Sequence, residues 1–288
     1  MVRSRSKDNL MSEIVKAVIP ITSEIHAETF ASALGASVLK EPEVGEGIRW
    51  AFFVGGSPNP LFKKFKDSGY KTAVFWIGSD SMTALQQIAY RKTIDNYDVH
   101  ICLHKRIQDE LASWKINSHV VWPCARNVSD GLGSVSAKLV GVYMPEPSLY
   151  MFEECKQVAL ENPDLPFVFY GALFPMGDLP ANVQDAGRMK PEETADIINK
   201  MSVMVRLVRH DGNPVGGIEA RQRGINVIEN FPYDGFMYAK TIEEVNKLLR
   251  DPQTHEIDNG PWPYLYRAKC GKEFFKREIE RILCASGS

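Results

Sequence analysis

Two carboxylates, Asp211 and Glu219, stand seven residues apart in the stretch SVMVRLVRHDGNPVGGIEARQRGINVIEN, residues 202–230, with Arg206, Arg209 and His210 just ahead of them. A carboxylate accepts a bidentate pair of hydrogen bonds from a diol, and a guanidinium holds an anion. The pair Gly216 and Gly217 suits a helix start, where unpaired backbone N–H groups also favour an anion. These side chains need a scaffold. An apolar run (Val203, Met204, Val205, Leu207, Val208) reads as a strand, 210–214 as a polar loop, and the segment from Gly216 to the stop at Gly224 as a helix. Ile225, Val227 and Ile228 read as a second strand. Strands joined through a helix are parallel, and ligands bind at their carboxyl ends, where a loop meets a helix N-terminus.

The pattern DGNPVGGIEARQRGINVI resembles the acidic E-x7-E motif of the retaining GT-B glycosyltransferases of family 4, with Asp211 replacing the first Glu. The run from Arg206 to Gly212 is similar to a variant in shorter members, and the small size resembles phage-encoded enzymes, some of which glycosylate hydroxymethylated bases in DNA. The resemblance implies a nucleotide-sugar donor, a UDP-sugar being favoured, and no other cofactor. It implies that Glu219 holds the donor ribose and that Asp211, with the backbone of Gly212 and Asn213, grips sugar hydroxyls. The Gly216 and Gly217 amides would face the diphosphate. Relatives add an Arg and a Lys in an early loop of the C-terminal domain, but the loop from Val142 to Ser148 has neither, so Arg206, Arg209 or Arg188 is expected to substitute. Arg206 and Arg209 also read as surface arginines that pair with a nearby acid. Glu219 also reads as a helix-surface carboxylate, Asp211 also as a cap, and His210 as either a sugar contact or a loop-packing residue.

The rest of the chain must supply the elements around this unit. From residue 13 on, strand and helix patterns alternate with short connections, and buried strands such as 71–77 show little polar alternation. This rhythm predicts an α/β fold, and the resemblance makes it GT-B: two Rossmann-like doubly wound domains facing across a cleft. Residues 1–11 read as a disordered lead-in, 12–130 as an acceptor-side domain and 131–270 as the nucleotide-sugar-binding domain. The helix at 271–288 is expected to pack back toward the first. The polar stretch 126–136 is the linker. Gly171 and the pair Gly187-Arg188 end strands where the family places its nucleotide base. Asp80, after Gly78-Ser79, either orients or deprotonates an acceptor hydroxyl or caps the helix that follows.

Composition closes off other classes. With 288 residues, 44% hydrophobic content, 24% charge and a net charge of −2, the chain is globular and has no general attraction to nucleic acid. A local basic rim for DNA phosphates is still available from Arg3, Arg5, Lys63, Lys64, Lys66, Lys71, Arg91, Lys92, Lys105 and Arg106, which also read as a solvated face. Five scattered cysteines without a C-x-x-C pair favour reduced thiols and a cytoplasmic setting. No apolar run approaches a membrane span. His100 and His104 share H-x-x-x-H spacing, but His100 falls on a strand, where four residues span roughly 13 Å, so no metal site is expected. P-loop, G-x-S-x-G, D-x-D and G-x-G-x-x-G patterns are missing. The expected activity is metal-independent transfer of a hexose to an acceptor hydroxyl, with retention. A modified-DNA acceptor and a non-catalytic nucleotide-sugar-binding subunit are the alternatives.

Overall fold

A computed structural model describes residues 15–20, 24–39, 41–43, 49–55, 61–78, 94–124, 132, 138–173, 175–210 and 214–286. They divide into two compact units. One holds the described residues up to 124 together with 269–286, and the other those from 132 to 268.

The first unit is a parallel sheet in the order β2-β1-β3-β4-β5-β6. Its strands are β1 (Val15–Pro20), β2 (Ser37–Val38), β3 (Arg49–Val54), β4 (Lys71–Trp76), β5 (Val99–Cys102) and β6 (His119–Val120). β3 and β4 are buried almost throughout, as central strands covered on both faces must be. One face packs on α1 (Glu24–Leu34) and on a helix from the far end of the chain, here α9 (Lys272–Ser286). Phe30 of α1 stacks on Phe275 of α9 at 5.2 Å between ring centroids, and Lys272 donates to Ser32 at 2.9 Å. The other face packs on α2 (Leu61–Asp67) and α3 (Lys105–Ser113). Gly35 ends α1 at φ +61°, a left-handed turn that suits a residue without Cβ.

The second unit carries β7 (Val140–Tyr143), β8 (Phe167–Tyr170), β9 (Val183–Asp185), β10 (Val203–Arg206), β11 (Asn226–Glu229) and β12 (Met237–Tyr238). Their spatial order is β12-β11-β10-β7-β8-β9, all parallel. Alternate side chains enter two cores. Val142, Phe169, Val205 and Ile228 pack with α4 (Phe152–Glu161) and α7 (Ile242–Arg250), while Val168, Met204 and Val227 pack with α5 (Pro191–Lys200) and α6 (Val215–Gln222). α8 (Pro261–Lys269) and a 3-10 turn at Pro252–His255 complete the unit. Among the described residues no helix is long and apolar enough to cross a membrane.

Candidate functional site

In the second unit the chain first builds β7, β8 and β9 outward in one direction, then returns to add β10, β11 and β12 on the other side of β7. The order reverses between β7 and β10. At such a reversal the connections leave the sheet on opposite faces and open a crevice outside the carboxyl ends of the two strands. Those ends are Tyr143 and Arg206.

The last residues of four neighbouring strands form one polar row there. Tyr170 is paired with Tyr143, Val205 with Val142, which sets Arg206 beside Tyr143, and Arg206 with Glu229. All four belong to the face covered by α6, because the residues two positions earlier, Val168, Met204 and Val227, lie in that core. Arg206 forms a buried ion pair with Glu229. Its guanidinium also lies 5.7 Å from the Tyr150 ring centroid. Burial works against the Arg206 charge, but Glu229 and Tyr150 outweigh it and raise its pKa. The rings of Tyr143 and Tyr150 meet edge to face at 5.6 Å, and those of Tyr143 and Tyr170 lie 5.4 Å apart. Burial, then Tyr143 and Glu219, push the Tyr170 hydroxyl well above the ordinary tyrosine range.

The connection from β10 to α6 is tied to its neighbours. The Arg209 backbone N–H donates to the Leu149 carbonyl at 2.8 Å, and its Nε donates to the Ser148 carbonyl at 3.0 Å. Asn230, just after β11, both accepts from the Val208 N–H and donates to its carbonyl, each at 2.8 Å. Pro214 then starts α6 without a side-chain cap. Among the described residues an added Cβ at Gly216 would meet Met204 Cε first, at 4.0 Å, whereas at Gly217 it would strike the Phe236 ring at 2.8 Å. Glu219 follows one turn into the helix and is 5% exposed, with Arg223 donating to its carbonyl oxygen at 2.8 Å. Burial lowers the pKa of Arg223, and Glu219 opposes this.

The structure thus brings Arg206, Gly216, Gly217 and Glu219 to one end of one sheet. Asp211, Gly212, Asn213 and Asp80 lie outside the described residues. The sequence treats Arg206 and Arg209 alike, and the structure separates them. Arg206 has its charge matched inside the unit. The Arg209 side chain is 64% exposed, at 3.7 Å from Glu154. His210 is buried. Arg188 is exposed and follows β9, the edge strand two places from the reversal. Gly171 sits at φ +99° where a Cβ would come within 2.6 Å of Tyr143, so packing against that ring already requires a glycine. Sequence reasoning missed Glu229, Tyr143, Tyr150 and Tyr170. A polar residue ending a buried strand, as Glu229 does, was the available signal.

Each described member of the expected basic rim is engaged. Lys63 pairs with Asp67, Lys64 with Glu41, Lys66 with Asp98, Lys105 with Asp109 and Arg106 with Glu110. Lys71 lies over the Trp50 ring. Acids are thus interleaved with five of these cations. His100 accepts from Trp76 Nε1 at 3.2 Å, and His104 caps α3 by accepting from the Arg106 N–H at 3.1 Å. No group of three or more metal-ligating side chains forms among the described residues.

No family model and no curated protein matches the chain. Solved structures do. The sucrose-phosphate synthase of Thermosynechococcus elongatus superposes with a TM-score of 0.68 at 12% identity, covering 94% of this chain and 98% of that one. The lipopolysaccharide outer core galactosyltransferase WaaB gives 0.61 at 11%, covering 94% and 99%. TarM of S. aureus, solved with UDP, gives 0.59 at 14% and covers 83% of this chain. The match spans 55% of the TarM chain, little more than half its length. The fold of the chain is therefore GT-B, with two Rossmann-like units.

Proposed function

We propose that the chain is a glycosyltransferase that moves a hexose from a nucleotide-diphosphate sugar, a UDP-sugar being favoured, to an acceptor hydroxyl. One observation carries this reading. The strand reversal between β7 and β10 lies where the N-terminus of α6 begins, with Gly216 free of close neighbours to a Cβ and Glu219 one turn further on. That arrangement suits a diphosphate against helix amides and a ribose diol against a carboxylate. The UDP found in the TarM structure supports the choice of nucleotide.

In this reading Glu219 accepts from the ribose diol, and the α6 amides stabilise the charge that develops on the leaving diphosphate. Arg209, the exposed arginine of the β10 connection, adds positive charge near the phosphates. The bond from the anomeric carbon to the phosphate oxygen breaks, and its electron pair leaves with the diphosphate. The acceptor oxygen bonds to the same face of that carbon while its proton passes to the departing phosphate oxygen. Configuration is then retained, and no metal is used. Asp211, Gly212 and Asn213 contact the sugar.

The test is thermal stabilisation, together with donor hydrolysis, against UDP-, GDP- and ADP-sugars for the wild type and Glu219→Ala. Stabilisation by one nucleotide sugar, abolished in a variant whose unliganded melting stays cooperative, is the expected result. No stabilisation by any donor overturns the donor site and leaves only the fold.

A further inference from the structure

Tyr170 ends β8 with its side chain almost fully enclosed, and its hydroxyl has no hydrogen-bond partner among the described residues. Buried tyrosine hydroxyls normally find one. The row of strand ends gives its surroundings: Tyr143 lies beside it on β7, with ring centroids 5.4 Å apart, and Arg206 follows on β10. Glu219, on the helix covering this face, acts on the hydroxyl electrostatically, as do Tyr143, Arg206 and Tyr150. The other polar groups of the row are engaged with one another, Arg206 with Glu229 and Tyr150. Among the described residues the buried Tyr170 hydroxyl has no group to receive its proton. Burial keeps the phenol protonated at any working pH, so it remains a donor.

We infer that the Tyr170 hydroxyl is a specificity-determining contact that donates a hydrogen bond to a ribose hydroxyl of the bound nucleotide. The inference rests on the donor site proposed above and adds to it the residue that selects a ribonucleotide. The chemistry of the pair argues for ribose over phosphate. A ribose hydroxyl can donate to a carboxylate such as Glu219 and accept from the Tyr170 phenol at the same oxygen. A phosphate oxygen can only accept, and it would be repelled by the Glu219 carboxylate. A site that hydrogen-bonds a hydroxyl rejects an analogue lacking it, because its own polar groups are then left unpaired.

The experiment compares wild type with Tyr170→Phe, which removes one oxygen and keeps the ring. Unliganded melting is measured first. Binding of UDP, and of GDP and ADP in parallel, is then titrated beside the corresponding 2′-deoxy and 3′-deoxy nucleotides. The expected result is a variant that melts no lower than wild type, binds the preferred ribonucleotide about tenfold more weakly, and discriminates about tenfold less against one of the deoxy forms. Equal ribonucleotide affinity with unchanged discrimination overturns the role of Tyr170 and leaves the donor site standing. Lower melting of the variant overturns it too, since the hydroxyl would then serve the fold. Wild type binding none of the three nucleotides overturns the donor site and this inference together.

Discussion

Arg206 and Glu229 are the final residues of adjacent parallel strands, held in register, and their side chains form an ion pair that is nearly closed to solvent. Two opposite charges at the same level of neighbouring strands project to the same side, so the pairing follows from the register. Its energetics are asymmetric. Forming a buried pair brings little net stability, but removing one partner leaves an uncompensated charge in the core.

Glu229→Ala and Arg206→Ala are therefore each expected to destabilise the protein by about 3–5 kcal/mol. The double replacement Arg206→Ala with Glu229→Ala should cost clearly less than the two single losses added together. Urea denaturation of the three variants measures this, and additive losses would mean that the two side chains act independently.

The two glycines at the start of α6 should behave in opposite ways. A Cβ at Gly217 meets the Phe236 ring at 2.8 Å, so Gly217→Ala should cost about 1–3 kcal/mol through overpacking. At Gly216 the nearest atom among the described residues is 4.0 Å away, so Gly216→Ala should leave unliganded stability unchanged or raise it by about 0.5 kcal/mol. If the diphosphate lies against this turn, the same variant binds nucleotide more weakly. Melting curves and nucleotide titrations on both variants separate the two roles, and undiminished affinity in Gly216→Ala would remove the diphosphate from this turn.

The alternation of strands and helices was legible because central parallel strands are buried on both faces and read as unbroken apolar runs. Residues 50–54 in β3 and Phe167–Tyr170 in β8 are such runs. α8 was not legible: Pro261 and Pro263 flank Trp262 at its start, so the segment has none of the ordinary helix signals except proline in the first turn. At the site, the stretch from Arg206 to Glu219 stood out by its residue types, but what each residue faces depends on strand order and register. Tyr170 stands at the end of an apolar run, and only the fold shows that its hydroxyl is enclosed beside Tyr143 without a partner among the described residues. Gly171 suggested close approach of a ligand, and its close neighbour is the Tyr143 ring.

That contact makes Gly171→Ala a severe change. The substitution combines a backbone at φ +99° with a Cβ 2.6 Å from the ring, and together these should cost about 3 kcal/mol or more. Adding Tyr143→Ala to it should relieve the clash but not the backbone strain. Gly171→Ala in that background should then cost about 1–2 kcal/mol, and a stability within 0.5 kcal/mol of the Tyr143→Ala background would show that the left-handed backbone carries no cost there.

His100 should make stability depend on pH. Burial lowers its pKa from 6.5 to about 4, against an opposing effect of Asp95, and the Trp76 indole N–H donates to its Nδ1. Between pH 6.5 and about 4 the unfolded chain holds a proton that the folded protein does not. Stability therefore rises with pH across that window, is fully present above it, and is lost as the solution is acidified through it. The loss attributable to His100 should approach about 3 kcal/mol by pH 4. His100→Asn, which still offers an oxygen to the indole, lacks the titrating ring. The stability difference between wild type and this variant should narrow or reverse on acidification from pH 7 to pH 4. A constant difference across the window would show that His100 is protonated as readily in the folded protein as in the unfolded chain.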